Sequence, residues 1–168
     1  MNPASRTLRH DGPSPPEPDE QETIVGALAG LAGGAATWSL VGVAAGLGHA
    51  PPLPLRLVAA SVLGPAALDP AASGAPLLGA LIATVTAVVF GLVFVSVVPD
   101  GASVGRATLS GAAFGLLVYL LAWFVLVRVG DPLLYAAGGP YAFQIVALHA
   151  AYGAVLGFLV PFLREIAL

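Results

Sequence analysis

The sequence predicts an all-α integral membrane protein: four transmembrane helices forming two tandem helical hairpins, with one short interfacial helix between the first and second. Three observations predict it. Of the 168 residues, 58% are apolar and only 9% are charged, whereas a soluble domain carries about 25% charge. Four stretches reach the roughly 20 apolar residues that a bilayer crossing needs. Glycines recur four residues apart within three of those stretches, as closely packed membrane helices require.

Residues 1–22, MNPASRTLRHDGPSPPEPDEQE, are polar and carry five prolines. They hold too little apolar surface to order themselves and are expected to form a disordered tail. The first helix is expected over about Thr23–Leu47, the second over Pro76–Val98, the third over Ala107–Arg128 and the fourth over Tyr141–Leu163, together forming one domain over residues 23–168. None carries a charged side chain away from its ends, and in hydrocarbon each must be a helix to satisfy its own backbone. All six basic residues are arginines. Arg6, Arg9, Arg106 and Arg164 fall on one side of the membrane and Arg56 and Arg128 on the other. That excess places both termini in the cytoplasm. The absence of lysine together with the Ala/Gly/Pro bias points to a GC-rich bacterial genome, and so to a bacterial inner membrane as the expected location.

The segment PPLPLRLVAASVLGPAALDP, residues 51–70, is too short to span. Over about 54–69 it is expected to lie as a helix in the outer interface, with a re-entrant dip as the alternative. Leu55, Val58, Ala59 and Val62 share one helical face, and Arg56 and Ser61 lie off it. Arg56 is expected near water, and Asp69–Pro70 marks a turn.

The two halves can be superimposed. At an offset of 85, Gly26, Ala27, Gly30, Leu31 and Trp38 fall on Gly111, Ala112, Gly115, Leu116 and Trp123. At an offset of 62, Phe90, Gly91, Val93, Val98 and Pro99 fall on Tyr152, Gly153, Val155, Val160 and Pro161. The offsets differ by 85 − 62 = 23 residues, close to the length of the interfacial segment, which then reads as an insertion into the first half. Such a repeat would be parallel, about an axis along the membrane normal.

Helix association in lipid needs close backbone approach at small residues. Gly26, Gly30 and Gly34 supply it on the first helix, Gly111 and Gly115 on the third, and Gly153 and Gly157 on the fourth. The same glycines could serve packing within the chain, a homodimer or a membrane partner.

His149 is the one histidine placed inside a membrane stretch; His10 lies in the tail and His49 at the end of the first helix. It stands eight residues from the outer end of its helix, about 12 Å at about 1.5 Å per residue. Counted from the same side, Ser39, Thr84 and Tyr119 reach a similar depth, giving a candidate polar layer of His149, Tyr119, Ser39 and Thr84. That layer could satisfy itself, line a small solute pathway, or offer one axial ligand to haem. The first leaves a structural or accessory protein, the second a small permease or channel, the third a haem-binding membrane protein.

Cysteine is absent, which excludes thiolate chemistry and disulfides. No carboxylate pair, nucleophile triad, phosphate loop or metal-ligand spacing is present. No catalytic residue, metal or resident cofactor is therefore expected, and no enzymatic activity. Without a basic cluster, nucleic acid is not an expected partner; the bilayer is. Three elements, GALAGLAGGA at 26–35, PPLPLRLVAASVLGPAAL at 51–68 and HAAYGAVLG at 149–157, give a chain that resembles a group of small bacterial four-helix inner-membrane proteins of unknown function. The resemblance implies a membrane-embedded helical domain and no particular activity.

Overall fold

The computed structural model describes residues 18–48, 53–128, 135–136, 139 and 142–167. The expected tail up to residue 17, together with His10 and His49, lies outside them. Among the described residues, five α-helices carry the fold: α1 Pro18–Gly48, α2 Leu53–Leu63, α3 Ala75–Val97, α4 Val104–Leu121 and α5 Ala142–Ala167. A 3₁₀ turn, Gly64–Leu68, follows α2, and a π-helical turn, Ala122–Val127, continues α4. No strand occurs among the described residues. Four of the helices are long and apolar enough to cross a membrane, and the shorter apolar helix stands between the first two. The chain is thus built as a multi-pass membrane protein.

The first hairpin packs α1 along α3 and the second packs α4 along α5, with α1 also lying against α5. Between the hairpins, residues 98–103 turn the chain at Gly101, whose φ of 70° suits glycine. Val25, Phe94, Leu156 and Val160 are fully buried where α1, α3 and α5 meet. Phe114 of α4 closes this core against Phe94, with ring centroids 5.4 Å apart.

Several boundaries differ from those read in the sequence. α1 starts at Pro18, not Thr23. Proline is compatible with a first helical turn, and Glu20 and Glu22 complement the dipole there. α5 runs four residues beyond Leu163 to Ala167, with Pro161 inside it. The matched Pro99 instead lies just past the end of α3, so the two prolines are not structurally equivalent.

Arginines take up carbonyls that prolines leave without donors. Pro99 has no N–H to offer the Val95 carbonyl one turn back; Arg164 Nη2 donates to it at 3.1 Å. Arg164 also binds both Glu22 oxygens, at 2.9 and 2.8 Å, tying α5 to the start of α1 and the end of α3. At the opposite end, Pro70 cannot donate to Ala67, and Arg56 Nη1 does so at 3.2 Å. The Arg56 guanidinium further donates to the carbonyls of Asp69, Pro70 and Ala72.

This corrects the expected exposure of Arg56 to water. Arg56 is buried with Ala59 and Ala60, whereas Val62, on the shared apolar face, is 67% exposed. Arginine's five donors make the carbonyl-rich turn a better site than an apolar contact would be. The Asp69 turn is present, with Asp69 Oδ1 accepting from the Ala71 N–H at 2.8 Å. α2 seats its Leu55 carbonyl over Gly79, where a Cβ would leave no room.

Candidate functional site: two glycine seams and the His149–Tyr119 contact

The site rests on how the glycines bring the helices together. In the first hairpin, Gly91 of α3 fits between Gly26 and Gly30 of α1; a Cβ there would fall 2.7 Å from the Gly30 Cα and onto the Gly26 carbonyl. In the second, Gly153 of α5 fits between Gly111 and Gly115 of α4; a Cβ there would fall 2.9 Å from the Gly115 nitrogen and onto the Gly111 carbonyl. Gly34 continues the first seam against the Ala87 methyl group, and Gly157 continues the second against the Ala107 backbone. All seven glycines expected to pack do so within this chain. The sequence reading missed Gly79 altogether and gave Gly91 no packing role.

The seams correspond position by position. Gly30 lies against the Ala87 carbonyl, and Gly115, 85 residues on, lies against the carbonyl of His149, 62 residues on from Ala87. His149 is therefore placed by its own backbone, which forms part of the seam. One helical turn further, the halves diverge. The first has Gly34 against Ala87. The second has Tyr119 against His149, edge to face with ring centroids 5.6 Å apart.

The rings continue outward. Tyr119 stacks on Trp123 at 6.3 Å, Trp123 meets Tyr135 at 5.3 Å, and the Arg128 guanidinium lies over the Tyr135 ring at 5.9 Å. His149 Nδ1 donates to the Ile145 carbonyl at 2.8 Å, one turn back in its own helix. A carbonyl can only accept, so Nδ1 carries a proton.

Of the four expected layer residues, the structure brings together His149 and Tyr119. It does not join Ser39 and Thr84 to them. Both are exposed on the bundle surface and donate to carbonyls of their own helices, Ser39 to Ala35 and Thr84 to Ala80, each at 2.8 Å. A hydroxyl satisfied one turn back needs no partner across the bundle. The polar tie the sequence did not single out is Tyr152. Its hydroxyl donates to the Ala87 carbonyl at 2.7 Å, and its ring covers Gly33, where a Cβ would stand 3.3 Å away. Tyr152 thereby links α5 to both helices of the first hairpin.

No group of three or more metal-binding side chains occurs among the described residues. Two adjoining cavities lie at the Arg164 end, away from His149 and Tyr119. No family model, curated protein or solved structure matches the chain.

Proposed function

We propose that the chain is a non-enzymatic structural or accessory bundle of a bacterial plasma membrane, with both termini cytoplasmic. The observation that carries this reading is the closure of both hairpins backbone on backbone at Gly91 and Gly153. Tyr152 then fills the contact between the hairpins, and the His149 imidazole is bonded within its own helix. Such an interior offers packing surface and little room for a solute. The matching seams also support reading the hairpins as copies of one ancestral hairpin, with α2 inserted into the first. Arginine bias supports the orientation. The exposed helix faces are available to lipid, a second copy or a membrane partner.

Reconstituted protein is expected to leave proton and ion leakage of liposomes at the protein-free level, and His149→Ala is expected to lower thermal stability. One observation favours a second reading, a small permease: a phenol and an imidazole meet in the second half where the first has glycine and alanine. Flux above the protein-free level, abolished by His149→Ala at unchanged stability, would select the permease and overturn the structural reading.

A further inference from the structure

Two cavities adjoin at the end of the bundle that carries Arg106 and Arg164. The larger, about 660 Å³, is lined by Glu22, Asp100 and Arg164, with Leu92 and Val95 among its apolar wall. The smaller, about 170 Å³, is lined by Arg106 and Ser110. They share the lip Val98–Pro99–Asp100. This lip follows the end of α3 and precedes α4, so both cavities open at the ends of apolar spans, the level a bilayer's headgroups would take.

Asp100 lines both, and the remaining polar groups differ. In the larger cavity two carboxylates face one guanidinium, a formal surplus of one negative charge. That guanidinium is already engaged, donating to Glu22 and to the carbonyls of Val95, Val98 and Pro99 and lying 3.2 Å from Asp100 Oδ1. What remains for a ligand is a set of acceptors, which suits an N–H-bearing cation. The smaller cavity offers the exposed Arg106 guanidinium and the Ser110 hydroxyl, donors suited to a phosphate.

We propose that the joined cavities bind the headgroup of a zwitterionic phospholipid carrying a primary ammonium. The ammonium sits by Glu22 and Asp100, the phosphate by Arg106 and Ser110, and one acyl chain lies along Leu92 and Val95. Over the joined cavities Glu22 and Asp100 balance Arg164 and Arg106, so charge complementarity favours a zwitterion over an anionic lipid, which has no ammonium to meet the carboxylates. The need for N–H donors favours it over a choline lipid, whose quaternary nitrogen has none.

The test uses the full chain in mild detergent with an equimolar mixture of phosphatidylethanolamine, phosphatidylcholine and phosphatidylglycerol, counting retained lipids by native mass spectrometry. Phosphatidylethanolamine is expected to be retained about five-fold over either competitor, the size of one charge interaction near a membrane surface. Asp100→Asn and Arg106→Gln alter exposed side chains, and each is expected to bring retention near parity while thermal unfolding stays at the wild-type temperature. Equal retention of the three lipids, a preference for either competitor, or an ethanolamine preference that survives both substitutions would overturn the proposal.

Discussion

The two hairpins share a seam and differ in what lies beyond it. In both, one glycine of the second helix is clasped by two glycines of the first, at positions related by the same offsets. Past the seam, the first hairpin keeps Gly34 against Ala87, and the connection between its helices carries α2, anchored through Arg56 and Gly79. Beyond its seam the second hairpin carries a chain of rings: His149, Tyr119, Trp123 and Tyr135. Small residues set the helix spacing in both halves. Among the described residues, the first hairpin then adds α2 between its helices, and the second adds large aromatic side chains. The halves also touch, since Val127, at the end of the π-helical turn, packs against the alanine cluster of α2 and its turn.

Substitutions at the seam are expected to have the largest effects. Gly91→Ala and Gly153→Ala each drive a methyl group into partner backbone, and each should lose about 3 kcal/mol of stability, read as unfolding in mild detergent. Next, His149→Ala removes a ring packed on Tyr119 and should cost about 2 kcal/mol. Because the first hairpin carries alanine at the matching position, this variant also tests whether the second half can close without its rings. Tyr152→Phe makes the second half resemble the first, which carries Phe90 there. It removes the bond to Ala87 and should cost about 0.6 kcal/mol, the average for interhelical hydrogen bonds in a membrane. Ser39→Ala and Thr84→Ala should stay within about 0.5 kcal/mol of wild type, because neither hydroxyl reaches another helix. A large loss at either position would restore the four-residue layer.

The contrast between seam and layer explains what the sequence made legible. The G-x-x-x-G pairs carry direction as well as depth, because residues four apart share a helix face. That these glycines would pack was readable before any fold was known; what they pack against was not. The polar layer was read from depth alone, which sets level and not facing. Ser39 lies five residues past Gly34, about 140° around the helix, on the back of the seam. Gly91 was harder to read as a packing residue because its partners stand on another helix. Arg56 was misplaced because its site consists of main-chain carbonyls released at Pro70 and the turn around it. The π-helical turn over Ala122–Val127 carries no glycine, proline or cap to announce it.

Closure of both hairpins by equivalent backbone contacts is the central claim. The most direct measurement compares the unfolding free energies of Gly91→Ala, Gly153→Ala and Gly105→Ala in one detergent. Gly105 lies in α4 with nothing within 4 Å of the place an added methyl group would take, so it reports alanine's helix preference alone. The expected result is two large losses, equal within about 1 kcal/mol, beside a neutral or slightly stabilising Gly105→Ala. If either seam glycine accepts alanine as readily as Gly105 does, that hairpin is not closed backbone on backbone, and the equivalence of the two halves fails with it.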